Sequence, residues 1–256
     1  MKVSLRNNPF TMGIRSILSS FTVLALIMLG SCNSASDENM LAGVDLISSF
    51  DFESGHQDWI AGVSDYSTVS VADNSNYAYS FYNAKGPQNL PWQGYGLTIT
   101  AENPHGDLFY YFKKQVSGLK PGKNYKVDFE FIVYTQLDSG KSVSSTEDIF
   151  LKVGAVNSEP VAQMVQTGGS SEYFSLNFDK GENNEDSGED LKNLGSIKNY
   201  TKSTVEAISG NTNKSQMIVM ADSQGSVWLI IGVDSSIRSQ LTFGLMAMTV
   251  YYTEIK

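Results

Sequence analysis

The aromatic pair Trp92 and Tyr95 lies in a glycine- and proline-rich segment, residues 89–96, where side chains are commonly exposed. Flat aromatic rings stack on the apolar faces of sugars, and nearby amides bond sugar hydroxyls. The ring pair and its neighbours therefore predict a glycan-binding platform made of Trp92, Tyr95, Tyr82, Asn83 and Gln93. The alternative is that these aromatic side chains fold back and close one end of the domain.

Groups suited to nucleophilic or zinc chemistry are sparse. Cys32 is the only cysteine, and the only histidines, His56 and His105, both lie beside turn residues where solvent exposure is expected. The chain has neither a Gly-x-Ser-x-Gly motif nor a His-Glu-x-x-His motif. We therefore predict no catalytic residue and interpret the protein as a non-enzyme.

Carboxylates are abundant, and a glycosidase needs two of them facing each other about 5–10 Å apart. Four lie on or near predicted strands: Asp107, Glu130, Glu147 and Asp148. Solvated carboxylates are nevertheless the usual state on an acidic surface. A polysaccharide-active enzyme is thus the third hypothesis, after glycan binding and after a structural or adhesive subunit that contacts protein partners.

The first 31 residues have the pattern of an export signal. Lys2, Arg6 and Arg15 precede an apolar run, residues 21–29, which is too short for a bilayer span of about 20 residues. The sequence Leu-Gly-Ser-Cys at 29–32 resembles the lipobox of bacterial lipoproteins, which implies lipidation of Cys32. We predict a signal peptide over 1–31, a polar tether over 32–43 and a lipid-anchored body over 44–256.

The resemblance implies anchoring in the outer membrane. The acidic pair Asp37-Glu38 resembles a surface-export signal of some Gram-negative lipoproteins, whereas an ordinary solvated linker would leave the protein on the periplasmic face. Removal of residues 1–31 takes away three of the 18 Lys and Arg and none of the 27 Asp and Glu, so the mature net charge is −12. Such a surface disfavours nucleic acid as a partner.

Strand patterns dominate the body. Residues 125–133 alternate apolar and polar with a period of two, as a half-buried strand requires. Apolar runs separated by turn residues recur along the chain, and no segment of a dozen residues has a helical period. These runs are at 44–52, 77–82, 108–112, 149–153, 173–178, 217–221, 227–233 and 241–252. We predict one all-β domain, a two-sheet antiparallel β-sandwich, with Trp228 in its core.

Residues 116–127 resemble the corner at which the chain crosses between sheets in fibronectin-type and carbohydrate-binding sandwiches. The resemblance implies that Leu119 is buried and that the Tyr125 hydroxyl bonds the backbone upstream. The segment 50–59 is similar to the opening strand of jelly-roll binding modules, in which Trp59 would be core.

Much of the mature chain is similar to a family of bacterial envelope proteins that has no assigned activity. The similar segments are 58–62 with 65–66, 107–109, 151–155 with 159–160, 179–181 and 228–235. Family members continue after the last segment with an aromatic and an acidic residue, whereas this chain has Ser236-Ile237-Arg238. The resemblance implies a jelly-roll-like β-sandwich in the cell envelope.

Calcium is the one cofactor that we expect. Residues 182–190 are rich in acidic and amide side chains, which makes Asp186 and Glu189 candidate ligands. Jelly-roll binding modules often hold a structural calcium near their first and last strands. The resemblance therefore implies Asp51 or Glu53 as a ligand at a second position.

Overall fold

The computed structural model describes residues 43–67, 77–88, 93–137, 147–166, 172–197, 206–212 and 217–256. Residues 43–256 form a compact unit. Every regular element within these ranges is a β-strand, which confirms the predicted all-β class. Among the described residues, no helix has the length and apolar character needed to cross a membrane.

A seven-stranded antiparallel sheet forms one layer of the sandwich. Its strands are β1 (Leu46–Phe50), β4 (Tyr79–Lys85), β5 (Tyr95–Ala101), β7 (Asn124–Leu137), β12 (Glu206–Asn211), β13 (Met217–Met220) and β15 (Leu241–Glu254). The central strands are β7 and β15, which pair along almost their whole length. β5 and β1 pair with the other side of β15, β4 pairs with β5, and β12 and β13 pair with the other side of β7.

A five-stranded antiparallel sheet forms the facing layer. Its strands are β2 (Ile60–Ser64), β6 (Leu108–Ser117), β8 (Ile149–Val156), β11 (Leu191–Ser196) and β14 (Ser226–Ser235). Their order in the sheet is β11-β8-β14-β6-β2. The inward-facing side chains of the two sheets form the main hydrophobic core. The two-sheet sandwich is therefore confirmed.

A small third sheet was not predicted. It consists of β3 (Tyr66–Ser67), β10 (Glu172–Leu176) and β9 (Ala162–Gln166). Its residue Leu176 and the partly buried Phe178 pack with Phe109, Tyr111 and Ile230 on the outer face of the five-stranded sheet. The central strands of the five-stranded sheet are thus covered on both faces.

The double coverage explains why β14 is apolar without interruption at 227–233. Val227, Leu229, Ile231 and Val233 face the main core, and Ile230 faces the third layer. Trp228 also lies on the outer side, is only partly buried and has the Lys113 ammonium 5.6 Å from its ring centroid. The prediction that Trp228 belongs to the core was therefore wrong, because strand residues alternate between faces.

The predicted corner is confirmed. Leu119 is buried, and the Tyr125 hydroxyl accepts a hydrogen bond from the Lys120 backbone N–H at 2.9 Å. Trp59 is also buried as predicted and packs edge-on against Phe50, with ring centroids 5.3 Å apart. These contacts fix the corner and the first strand against the core.

Candidate functional site

The outer face of the seven-stranded sheet carries a groove of about 650 Å³. Its floor is formed by outward-facing residues of β4, β5, β15 and β7, which are four consecutive strands of the sheet. The strand register aligns them in two parallel rows. One row is Tyr82, Thr98, Gly244 and Tyr134, and the next is Ser80, Thr100, Thr242 and Gln136.

The groove is lined mainly by hydroxyl and amide groups. Thr98 and Tyr134 hydroxyls lie 3.0 Å apart, and the hydroxyls of Thr100 and Thr242 lie 2.8 Å apart, so each pair shares a hydrogen bond. A hydroxyl can donate one bond and accept others, so these groups retain capacity for a ligand. Among the residues that the structure describes, no acidic residue lines the groove, and Lys85 is the one charged residue of the lining.

Gly244 determines the position of the Tyr134 ring. A Cβ atom at Gly244 would lie 1.9 Å from Cε1 of Tyr134, which is far inside any allowed contact. The ring therefore lies directly across the glycine backbone, where it is almost fully buried and forms part of the groove floor. The missing side chain at position 244 makes room for this aromatic surface.

Tyr82 is the most exposed aromatic residue of the groove, with 44% of its surface accessible. It belongs to β4, the edge strand of the sheet, and stands beside Thr98 of β5. An exposed ring at the rim of a polar groove can cover one face of a bound ring. Tyr82 is thus the predicted platform residue that the structure places in the groove.

The other residues of the predicted platform have different positions. Trp92 lies outside the described residues. Gln93 is exposed and donates its amide to the Gln88 carbonyl at 3.1 Å. Tyr95 is the first residue of β5 rather than part of a loop; it is half-buried, with the Lys85 ammonium 5.8 Å from its ring.

Asn83 faces away from the groove. Successive strand residues point to opposite faces, so Asn83 and Tyr82 do not share a surface. The Asn83 amide donates to the carbonyls of Phe52 and Gly96, at 3.1 and 3.2 Å. Its position indicates a role in fixing the chain segments beside β4, so we leave it out of the candidate site.

Both histidines are exposed, as predicted, and His56 stacks on Phe81 at a centroid distance of 4.4 Å. The carboxylates considered for catalysis accept protein hydrogen bonds: Glu130 from Tyr251, Asp107 from Tyr173, and Asp148 from Ser196. Glu147 lies just before β8 and is half-buried. None of these four carboxylates lines the groove.

The predicted calcium ligands belong to two separate segments. Asp51 accepts bonds from the Glu53 N–H and the Gln57 amide, and Glu53 accepts one from the Tyr95 N–H. Asp186 accepts bonds from Asn183, and Glu189 is exposed. Within the described ranges, no group of three or more His, Cys, Asp or Glu is arranged to hold a metal ion. A calcium ion at either position would need backbone carbonyls or water as further ligands.

A second polar assembly, which sequence reasoning missed, lies under the third layer. We call Asp65, Lys152, Lys180 and Asp234 the buried charge cluster; all four are less than 10% exposed. The Lys180 ammonium lies 2.5 Å from Asp234 Oδ2 and 3.1 Å from Asp65 Oδ2. The Lys152 ammonium lies 3.1 Å from the same Asp234 oxygen and donates to the carbonyls of Lys180 and Asn183.

Burial changes the proton affinities of the cluster. Desolvation raises the pKa of Asp65 to about 6, against the opposing effect of the Lys180 ammonium. Desolvation lowers the pKa of Lys152. It acts in the same direction on Lys180, but the carboxylates of Asp234 and Asp65 outweigh it and raise the pKa of Lys180. Asp65 also has a φ of 66°, a left-handed conformation that is unusual for a non-glycine residue.

The sequence does contain a signal for this cluster. Lys152 lies between Leu151 and Val153, and Asp234 follows the apolar run of β14. A single charge within a strand that is otherwise buried requires an opposite charge or hydrogen-bond partners on the same face.

No family model matches the chain, and no curated protein matches it. Solved structures similar to it include the CBM22-1 xylan-binding domain of Paenibacillus barcinonensis Xyn10C, with a TM-score of 0.35 and 10% identity over 82% of this chain and 95% of that one. The carbohydrate-binding module TmCBM61, solved with β-1,4-galactotriose, has a TM-score of 0.30 and 14% identity, covering 80% of this chain and 94% of the module.

The enzymatically active domain of bacteriophage CBA120 tailspike protein 4 is also similar, with a TM-score of 0.33 and 9% identity over 80% of this chain. The present chain spans only 20% of that chain's length. Carbohydrate-binding modules are thus among the solved structures to which this chain is similar.

Proposed function

We propose that this protein binds a neutral glycan in the groove on the outer face of the seven-stranded sheet, without cleaving it. The observation that carries the proposal is the pair of hydroxyl- and amide-bearing rows that cross four strands beside the exposed ring of Tyr82. Neighbouring strands are about 4.8 Å apart, so each row extends over about 14 Å. This length suits an oligosaccharide better than a single small polar molecule.

The chemistry of the groove supports a sugar over other ligand classes. A sugar offers hydroxyls to Thr100, Thr242 and Gln136, and an apolar C–H face to the ring of Tyr82. The described lining contains one cation, which is too little positive charge to hold a polyanion, and it contains too few apolar side chains for a hydrophobic ligand. The absence of acidic residues from its described lining favours binding without hydrolysis.

The direct test is binding of the full chain to an array of bacterial, host and dietary glycans. We expect one glycan class to be retained and Tyr82→Ala to lower its affinity about tenfold, which corresponds to about 1.4 kcal/mol. The loss follows from removal of the one exposed ring among the described residues of the groove, which is the ring that can stack on the sugar.

Ile218→Ala is the matched control, because Ile218 is 58% exposed on β13 of the same sheet but outside the groove. It should bind like the wild type. A folded wild-type protein that binds nothing, or a Tyr82→Ala variant with undiminished affinity, would remove the basis for this site.

We further propose that the binding body is held at the outer membrane by lipid on Cys32. The support is the sequence pattern of residues 1–32. Cys32→Ala is expected to move the protein from the membrane fraction to the soluble fraction of fractionated cells. A variant that stays entirely in the membrane fraction would show that another element anchors the chain.

Calcium remains a prediction. If the acidic segments bind it, calcium at a hundred times its Kd adds about 2.7 kcal/mol of stability, which corresponds to a rise in Tm of roughly 5–10 °C. Thermal unfolding with calcium and with a chelator measures the effect. Asp51→Asn and Asp186→Asn then tell which segment is responsible, and equal Tm values in the two conditions would rule out the ion.

A further inference from the structure

We propose that Lys180 and Asp234 condense into an intramolecular amide bond, with Asp65 as the group that carries the proton. The amine, the carboxyl carbon and a second carboxyl group are placed together by three separate parts of the chain. Lys180 comes from the loop after β10, Asp234 from the central strand β14, and Asp65 from the junction of β2 and β3.

The geometry brings the reacting atoms together. Lys180 Nζ lies 2.5 Å from Asp234 Oδ2, which is bonded to the carboxyl carbon that the amine would attack. Asp65 Oδ2 lies 3.1 Å from the same nitrogen. Asp234 is fully buried, and the ring of Phe109 lies 5.8 Å from the ammonium, so bulk water is kept from the pair. Contact at this distance in a fixed orientation is the condition under which intramolecular reactions become fast.

The condensation balances without any added reagent. Asp65 takes one proton from the Lys180 ammonium and passes it to Oδ1 of Asp234, which becomes a neutral acid, and the amine nitrogen then attacks the Asp234 carboxyl carbon. Asp65 takes a second proton from the attacking nitrogen and delivers it to the same Oδ1 oxygen, which leaves as water. The C–N bond forms, one C–O bond breaks, and the ammonium and carboxylate become an amide and a water molecule.

Lys152 has a defined part in this step. Its ammonium lies 3.1 Å from Asp234 Oδ2, where it stabilises negative charge on that oxygen during the attack and holds it afterwards as the amide carbonyl. The other oxygen, Oδ1, is buried and has no hydrogen-bond partner among the described residues. An unpartnered buried carboxylate oxygen is costly, and its departure as water removes that cost.

The charge balance of the cluster is the same before and after the reaction. Two ammonium groups and two carboxylates are reduced to Lys152 and Asp65, which still compensate each other. Burial of an ion pair is expensive even when the partners are matched, so replacement of one pair by a neutral amide favours the product. The bond ties the loop after β10 to the centre of the five-stranded sheet.

Tryptic digestion of the full chain followed by mass spectrometry tests the inference. We expect peptide 153–192, uncut after Lys180, joined to peptide 215–238 and lighter than their sum by one water molecule. Complete cleavage after Lys180, with both peptides linear and unmodified in protein that was folded before digestion, would overturn it. The cluster would then be a permanent set of ion pairs.

Two variants test the roles of Lys180 and Asp65 separately. Lys180→Arg retains a cation but has no primary amine, so only linear peptides are expected. Asp65→Asn keeps the shape of the side chain and removes the proton carrier, so the linked fraction should fall at least tenfold in protein whose far-ultraviolet circular dichroism is native. Full linkage in folded Asp65→Asn protein would contradict the role of Asp65. If the variants do not fold, the digest of the wild-type protein still shows whether the amide bond between Lys180 and Asp234 exists.

Discussion

Lys152→Met is expected to lower the free energy of unfolding by about 3–5 kcal/mol. The Lys152 ammonium is completely buried and donates to three acceptors: the Lys180 carbonyl at 2.8 Å, the Asn183 carbonyl at 3.2 Å and an Asp234 oxygen at 3.1 Å. Methionine has a similar length but no donor, so all three acceptors would lose a partner. The expectation holds whether the Asp234 oxygen belongs to a carboxylate or to an amide.

Urea unfolding measures this loss, and Lys113→Met is the matched control. Lys113 is also buried on the five-stranded sheet, but the side chain of its partner Glu159 is 49% exposed and can be rehydrated. We expect a loss of about 1–2 kcal/mol for that variant. Equal losses for the two variants would show that the buried charge cluster is no more important to stability than an ordinary ion pair.

Gly244→Ala is expected to lower glycan affinity at least tenfold while the strand register is retained. The added methyl would lie 1.9 Å from the Tyr134 ring, so the ring must leave the groove floor. Overpacking of this kind also costs about 1–3 kcal/mol of stability. Binding is therefore to be measured well below the Tm of the variant.

Gly210→Ala is the control that separates a loss of glycan affinity from a loss of stability. A methyl at Gly210 of β12 would lie 2.7 Å from the ring of Phe131, which belongs to the main core and not to the groove. This control should lose stability and keep its affinity. If Gly244→Ala kept full affinity as well, the Tyr134 ring would have no part in forming the site.

The fold could be predicted to a large extent because its signals are local. The alternation in β7 and the corner from Leu119 to Tyr125 depend on residues that are close in sequence, and both have the predicted structure. β5 was missed because Tyr95 and Gly96 read as the end of a glycine-rich turn, although they begin a strand. The third layer was missed because it covers the outer face of β14. Within the run 227–233, the residues on that face are apolar, like those that face the core, so the sequence of this run does not reveal a second covering layer.

The candidate site was less predictable because it depends on register. Thr98, Thr242 and Tyr134 are ordinary strand residues in sequence, and only the pairing of β5, β15 and β7 places them in adjacent positions. Tyr82 could be selected because an aromatic residue at a strand end is conspicuous. Asn83 was selected with it by proximity in sequence, yet its side chain lies on the other face.

The proposal of a glycan-binding groove is tested most directly by chemical-shift mapping of the isotopically labelled protein with the glycan that the array retains. We predict that the perturbed amides cluster in β4, β5, β7 and β15 and include Tyr82, Thr98 and Thr242. Perturbations confined to the third layer, or to the exposed edge formed by β13, would place the ligand elsewhere and contradict the proposal.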